Sequence, residues 1–188
     1  MSEPRLVEVL IEEQVIQARV RDLAAEIRRD FPDDLHLVCV LKGAFVFLSD
    51  LVRHLSGRVS LDFMAVSSYA KATKSSGEVR LLKDLDTTLE GRHVVLVEDI
   101  VDTGLTLAYL QEILRARNPR SLRTACLMNK PSRRQVEVRL DYIGFTIEDR
   151  FVVGYGLDYA EQYRNLPHIA VLEFRDRPSH RVTASPTP

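Results

Sequence analysis

The sequence predicts an α/β protein built on a mostly parallel sheet. Short apolar runs alternate with helical patterns along the first two thirds of the chain, an order typical of parallel strands joined by crossover helices. The central run, residues 94–97, is apolar throughout and mostly β-branched, which suits a strand buried on both faces. At 188 residues, of which 45% are hydrophobic, the chain is long enough to enclose such a core.

The order of the predicted elements follows from their hydrophobic periodicity. A first helix is predicted over residues 12–29, because its apolar residues recur on one face. The apolar run 35–41 ends at a sharp Lys-Gly break, and residues 44–55 form the next predicted helix. A third helix follows the turn at residues 102–106, where apolar residues again recur at helical spacing. The predicted strands cover residues 35–41, 59–67, 79–82, 94–97, 122–128, 142–147, 151–155 and 169–174.

We expect a single domain over residues 1–177. Residues 178–188 have little to pack, so a disordered tail is expected there. Residues 68–78 are polar or small and contain no large aliphatic side chain, whereas strand-like sequence resumes at Val79. This composition predicts a mobile loop over a site, with a merely disordered excursion as the alternative.

Two acids and a turn of small residues follow the central apolar run. Glu98 and Asp99 stand where that strand is predicted to end, and the turn Asp102-Thr103-Gly104-Leu105-Thr106 leads into the third helix. Ligands of open parallel sheets bind at the carboxyl ends of the strands. A loop that feeds a helix N-terminus presents free backbone N–H groups, which favour phosphate. The threonines add hydroxyl donors, and the glycine allows close approach of an anion.

Other phosphate chemistries fit this stretch less well. The sequence contains no G-x-x-x-x-G-K-[ST], which argues against a nucleotide-hydrolysing P-loop. An aspartyl-phosphate phosphatase would need two acids on the same side of one extended segment, whereas Asp99 and Asp102 are three positions apart. The remaining alternative is a strand–helix turn whose acids are simply solvated.

The stretch from His93 to Leu110 resembles the ribose-phosphate motif of the type I phosphoribosyltransferases. Four more stretches resemble the hypoxanthine-guanine branch of that family, and together they span residues 41–164: these are Leu41-Lys42-Gly43, Ser68-Tyr69, Lys130 in NKPSRR, and Arg150 to Arg164. The resemblance implies the type I phosphoribosyltransferase fold, in which helices flank a central, mostly parallel sheet and a small hood is added.

The resemblance also implies roles for individual residues in binding phosphoribosyl pyrophosphate. Asp102 is the expected catalytic base, which accepts a proton from the N7 edge of the purine. Mg²⁺ is the expected cofactor, with Glu98, Asp99 and Asp158 as its ligands. The residues expected to bind phosphoribosyl pyrophosphate are Lys42, Gly43, Glu98, Asp99, Asp102, Thr103, Gly104, Leu105, Thr106 and Arg164.

A second set of residues matches the purine-binding positions of the family. The resemblance implies that Lys130 donates to the exocyclic oxygen of a 6-oxopurine and that Phe151 stacks on the base. The Val152 carbonyl would meet the 2-substituent, and Asp158 completes this set. The neighbours of the lysine, Arg133 and Arg134, are interpreted as a solvated basic turn.

The pair Ser68-Tyr69 matches the start of the family's catalytic loop, which closes over the reacting centre. The family often carries glycine or asparagine after this tyrosine, whereas this chain has Ala70 and Lys71. This departure bears on how flexible the loop is.

The implied activity is transfer of a 5-phosphoribosyl group from phosphoribosyl pyrophosphate to hypoxanthine or guanine. A xanthine-preferring transferase is the nearest alternative. A regulator of the same fold that senses phosphoribosyl pyrophosphate is less favoured, because no helix-turn-helix domain is added and Asp102, Lys130 and Arg164 are retained. Adenine and orotate enzymes fit less well, since Lys130 with Phe151-Val152 matches the 6-oxopurine pattern.

Composition limits the partners. A formal net charge of -1 does not indicate nucleic-acid binding through bulk electrostatics. No apolar run approaches the length of a membrane span, and the first residues lack a signal-peptide pattern. Cys39 and Cys126 lie in apolar runs and are expected to be buried reduced thiols, which favours the cytoplasm. The family resemblance implies a homo-oligomer, either a dimer or a tetramer.

Overall fold

The computed structural model describes residues 4–68 and 79–174. Its helices are α1 (Glu13–Asp30), α2 (Phe45–His54) and α3 (Leu105–Arg115), with a short 3-10 turn at Pro131–Arg133. Its strands are β1 (Pro4–Ile11), β2 (Leu35–Leu41), β3 (Val59–Ser68), β4 (Val79–Lys83), β5 (His93–Val101), β6 (Ser121–Asn129), β7 (Tyr142–Thr146), β8 (Val152–Val153) and β9 (Ile169–Phe174). The α/β class is confirmed. Tyr69, the rest of the predicted loop to residue 78 and the predicted tail lie outside the described residues.

Six strands form the main sheet, in the order β4-β3-β2-β5-β6-β7. Every neighbouring pair is parallel except β3 with β4, so the predicted mostly parallel sheet is confirmed. After β2 the chain builds outward to β3 on one side, and after β5 it builds outward to β6 on the other. Strand order therefore reverses between β2 and β5, and crevices at such points bind ligands in open α/β sheets.

The main sheet is buried on both faces because its central strands are apolar at successive positions. One hydrophobic cluster joins α1 and α2 to residues such as Leu37 and Val97, and a second joins α3 to residues such as Val38 and Leu96. The thiols of Cys39 and Cys126 belong to different clusters and are both free and buried, as predicted. Burial raises the pKa of both thiols to about 12, so they are poor nucleophiles at neutral pH.

A second, antiparallel sheet has the order β1-β9-β8 and forms the small hood. The sequence did not predict β1, which pairs with β9 from Pro4 opposite Phe174 to Ile11 opposite Ile169. Most of β1 is exposed and only Ile11 is buried, so it lacks the alternation that identifies a half-buried strand.

The predicted strand over residues 151–155 is too long. Only Val152–Val153 is a strand, because positive φ angles at Gly154 and Tyr155 turn the chain away from the sheet. Within residues 4–68 and 79–174, no helix combines the length and apolar character needed to cross a membrane.

Candidate active site

Three chain segments meet at the carboxyl edge of the main sheet. The Leu41–Lys42 peptide bond, at the end of β2, is cis. The backbone N–H of Lys130, which follows β6, donates to the Val101 carbonyl at 2.9 Å. Strand β5 runs to Val101 and so continues past the two acids that were predicted to end it. The turn at residues 102–106 and Lys130 are thereby held side by side.

Glu98 and Asp99 are strand residues that carry strongly perturbed carboxyl groups. Burial raises the pKa of Glu98 well above its usual range, and the neighbouring Asp99 adds to this effect. Burial also raises the pKa of Asp99 to about 6, although the Ile100 backbone N–H donates to its Oδ1 at 2.8 Å and Arg164 lies nearby. Both acids are therefore short of positive charge, and a bound cation would favour their ionised forms.

Gly43 packs directly against the second of these acids. A Cβ added at Gly43 would overlap the Asp99 carboxylate, and one added at Gly156 would overlap the Gly43 carbonyl oxygen. At Gly156 the φ of +100° and the backbone overlap leave room only for glycine, whereas a side chain at Gly43 would displace the Asp99 carboxylate. The chain after β2 and the segment after β8 therefore approach each other closely beside Asp99.

Lys42 and Arg164 both contact Glu161, a residue that was not predicted from the sequence to belong to the site. Glu161 Oε2 lies 2.9 Å from Lys42 Nζ and 3.4 Å from Arg164 Nη2. The same Arg164 nitrogen lies 2.9 Å from Asp158 Oδ1, and Arg164 Nη1 donates to the Gly156 carbonyl at 2.8 Å. The two predicted cations are therefore brought together, with carboxylates occupying part of their hydrogen-bonding capacity.

The carboxylates near Arg164 fit Mg²⁺ by their chemistry. Asp99 and Asp158 interact electrostatically with each other and with Arg164, and Mg²⁺ is usually held by one or two carboxylates together with substrate phosphates. Across residues 4–68 and 79–174, no three potential ligand side chains converge on one point. The predicted set of Glu98, Asp99 and Asp158 is thus not assembled by the protein alone.

The turn at residues 102–106, called the phosphate loop below, shapes a small cleft. Gly104 has a φ of +85° and precedes α3, which begins at Leu105 and therefore includes Thr106. The Thr103 backbone N–H donates to Asp102 Oδ1 at 2.5 Å. The cleft holds about 140 Å³ and is lined by Glu98, Asp99, Ile100, Val101, Asp102, Gly104, Thr106 and Leu107.

Lys130 lies near Asp102 and interacts with it electrostatically. It is 9% exposed, and its Nζ donates to the Arg150 carbonyl at 2.5 Å and lies 4.0 Å from Asp149 Oδ1. Burial lowers the pKa of Lys130, whereas Asp149 and Asp102 raise it. The predicted purine-binding lysine is therefore buried and lies near Asp102, the predicted catalytic base. It is not a solvated strand-end residue.

The residues predicted to hold the base separate into three environments. Phe151 is 45% exposed, and its ring packs edge-on against Tyr159 and Phe174, with centroids 5.9 and 5.5 Å away. Val152 is buried in the hood and pairs with β9. Asp158 lies with Arg164, on the side of the site that carries Lys42 and not beside Lys130. An exposed ring has a face available for stacking.

The sequence also missed an ion pair that anchors this region. Arg150 donates from Nη1 and Nη2 to the two carboxylate oxygens of Glu8, at 2.6 and 3.0 Å. Because Glu8 lies in the unpredicted strand β1, no local pattern could have identified the pair. It ties the hood to the residue whose carbonyl accepts from Lys130.

Comparison with known proteins agrees with this geometry. The phosphoribosyl transferase domain family matches residues 9–160. The hypoxanthine-guanine phosphoribosyltransferase of Bacillus subtilis (strain 168) is 51% identical over 166 residues, which cover 88% of this chain and 92% of that protein. The enzyme of that name from Dictyostelium discoideum is 50% identical over 171 residues, covering 88% and 95%. A solved structure of a hypoxanthine-guanine phosphoribosyltransferase from Bacillus anthracis has a TM-score of 0.85 at 43% identity, covering 91% and 99%. The chain therefore belongs to the phosphoribosyltransferase family, in its hypoxanthine-guanine branch.

Proposed function

We propose that the protein is a purine salvage enzyme. It transfers the 5-phosphoribosyl group from phosphoribosyl pyrophosphate to N9 of hypoxanthine or guanine, which gives IMP or GMP and pyrophosphate. One observation carries this proposal. The phosphate loop, Lys130 and the two cations that contact Glu161, Lys42 and Arg164, meet at the carboxyl edge of the sheet. Relatives that match along most of their length are named for the same activity.

The phosphate loop binds the 5′-phosphate in this proposal. Its backbone N–H groups and the start of α3 favour an anion, and Thr106, whose hydroxyl group can donate to a phosphate oxygen, is one of the residues that line the cleft. The 5′-phosphate does not react, so its binding free energy can orient the reacting carbon. Glu98 and Asp99 accept hydrogen bonds from the ribose hydroxyls and place negative potential near the sugar as it becomes cation-like.

Pyrophosphate departs on the side of Lys42 and Arg164. Both cations exchange their contacts with Glu161 for the phosphate oxygens, and an arginine fork matches these oxygens well. Asp99 and Asp158 would hold Mg²⁺, which when bound supplies positive charge that offsets the charge of the leaving group. The backbone at Gly43 lies close to the Asp99 carboxylate because glycine has no side chain to keep them apart.

The purine binds on the side of Lys130. The lysine Nζ exchanges the Arg150 carbonyl for the exocyclic oxygen of a 6-oxopurine, Phe151 offers a ring face, and the Val152 carbonyl meets the 2-substituent. Asp102, which is electrostatically coupled to Lys130, accepts the proton from the N7 edge as N9 attacks. Xanthine differs from these bases only at the 2-position, so a preference for xanthine is the closest alternative.

Several remaining features belong to the same proposal. The family resemblance assigns to the segment that starts at Ser68-Tyr69 the role of excluding water, which could otherwise capture the sugar cation. The substrates are small molecules, not nucleic acid or membrane, and the enzyme acts in the cytoplasm as a homo-oligomer. Residues 1–177 form its one domain.

Product formation tests the proposal directly. The protein is incubated with Mg²⁺, phosphoribosyl pyrophosphate and hypoxanthine, and IMP is separated by chromatography. Ribose 5-phosphate in place of phosphoribosyl pyrophosphate is the matched control, because it offers the same 5′-phosphate without a leaving group. IMP that appears only with phosphoribosyl pyrophosphate supports the proposal. No IMP with hypoxanthine and no GMP with guanine would rule it out.

A further inference from the structure

The floor of the phosphate loop is formed by the segment that follows the 3-10 turn. The backbone N–H groups of Gln135 and Val136 both donate to the Thr103 carbonyl, at 2.9 and 3.1 Å. A Cβ added at Gly104 would lie 2.5 Å from the Val136 carbonyl oxygen and 3.3 Å from Arg134 Nη1. The guanidinium group of Arg134 therefore lies directly against Gly104 of the phosphate loop.

Arg134 is not the solvated residue that the sequence predicted. Its Nη2 donates to Asn129 Oδ1 at 2.5 Å, whereas its Nη1 is shielded from solvent and has no hydrogen-bond partner among residues 4–68 and 79–174. A buried cationic donor without a partner is costly. Its neighbour Arg133 does behave as predicted, since its side chain is 51% exposed and lies 3.5 Å from Asp149.

The cleft above Arg134 lacks positive charge of its own. Three acids line it, namely Glu98, Asp99 and Asp102, and no lysine or arginine of the described chain does. In their ionised forms, acids that line the same small cleft oppose the binding of a phosphate dianion. The backbone N–H groups of the loop and the start of α3 supply only partial charges. A full positive charge directly beneath Gly104 would offset this repulsion.

We propose that Arg134 is a positioning residue for the phosphate group: it supports Thr103 and Gly104 from below and supplies the positive charge that lets an acidic cleft accept a 5′-phosphate. This inference rests on the proposed role of the phosphate loop. Arg134 acts through the loop, so it needs no direct contact with the ligand. Its loss should weaken the binding of phosphorylated ligands and spare the same ligands without phosphate.

The test compares GMP with guanosine, which differ only in the 5′-phosphate. Dissociation constants are measured by isothermal titration calorimetry for the unchanged protein and for Arg134→Met, Arg134→Lys and Arg133→Met. Methionine keeps the apolar stem of Arg134 without its charge, and lysine restores the charge. Arg133→Met removes the same charge one residue away and is the matched control. Loss of the charge should cost at least about tenfold in affinity, because two unit charges even ~12 Å apart interact by about 1.4 kcal/mol at an effective dielectric constant of about 20.

We expect Arg134→Met to weaken GMP binding at least tenfold and to leave guanosine binding within twofold. Arg134→Lys should recover most of the loss, and Arg133→Met should bind both ligands normally. An equal loss for GMP and guanosine, no loss for GMP, or equal losses in the methionine and lysine variants would overturn the inference. If Arg134→Met does not fold, Arg134→Gln takes its place in the same comparison. Failure of the proposed transferase activity would instead appear as absence of IMP formation by the unchanged protein.

Discussion

Substitution of Gly104 by alanine tests whether the phosphate loop is shaped by the segment beneath it. Gly104 has a φ of +85°, and an added Cβ would meet the Val136 carbonyl oxygen at 2.5 Å, closer than Cβ atoms approach in proteins. Gly91 is a matched control, because it has a φ of +70° but nothing within 4 Å of the added Cβ. The two variants therefore share the backbone penalty and differ in the steric one.

The magnitudes follow from these two terms. A left-handed conformation costs a non-glycine residue roughly 1–2 kcal/mol, which is the whole expected effect of Gly91→Ala. At Gly104 the loop or the Val136 backbone must also move, and forced displacement of packed groups costs a further ~1–3 kcal/mol. We therefore expect Gly104→Ala to lose about 2–5 kcal/mol of unfolding free energy. At about 2–4 °C per kcal/mol for a chain of this size, its Tm should fall clearly below that of Gly91→Ala.

The assay is urea unfolding of both variants and the unchanged protein at one protein concentration, because oligomerisation makes stability depend on concentration. The affinity for GMP is measured on the same samples, and only Gly104→Ala should weaken it. Equal destabilisation of the two variants, within about 0.5 kcal/mol, would refute the close approach between the phosphate loop and residue 136.

Two further predictions concern the acids of the site. Asp102→Asn should lower kcat by about 10²–10⁴ as a general base is lost, while leaving the affinity for phosphoribosyl pyrophosphate nearly unchanged; near-normal turnover of the folded variant would remove Asp102 from that role. Because the pKa of Asp99 is raised to about 6, protons should compete with Mg²⁺ below that pH, so Mg²⁺-pyrophosphate binding should weaken as pH falls from 7 to 5, by at most about tenfold per pH unit. Calorimetry should show a shallower pH dependence in Asp99→Asn, and parallel curves for the two proteins would contradict this linkage.

The main sheet could be predicted because its central strands are buried on both faces. Continuous apolar runs such as residues 94–97 and 125–128 are typical of strands that are buried on both faces of a parallel sheet. The ligand edge was predictable for the same reason, since polar residues that directly follow such runs must lie at one edge of the sheet. The predicted boundaries of the main-sheet strands, and of the helices that pack on them, consequently agree with the structure to within a few residues.

The rest depends on contacts between distant parts of the chain. Strand β1 gains its order from β9, more than 150 residues away, and keeps an exposed outer face. The carboxylate of Asp99 meets Gly43 only because β2 and β5 are neighbours. The side chain of Arg134 is half-buried, and its Nη1 is shielded from solvent beside Gly104 of the phosphate loop, so a composition that indicates a solvated turn gave the wrong environment for this residue.

The most direct test of the central claim is the choice of base by the unchanged protein. Lys130 can only donate, so adenine, which offers an amino group where a 6-oxopurine offers an acceptor, gives the buried ammonium no acceptor and sets two donors against each other. Values of kcat/KM for hypoxanthine, guanine, xanthine and adenine are measured under one set of conditions. We predict that hypoxanthine and guanine exceed adenine by roughly 10²–10⁴. Adenine within about tenfold of hypoxanthine, a gap of only about 1.4 kcal/mol, would contradict the account.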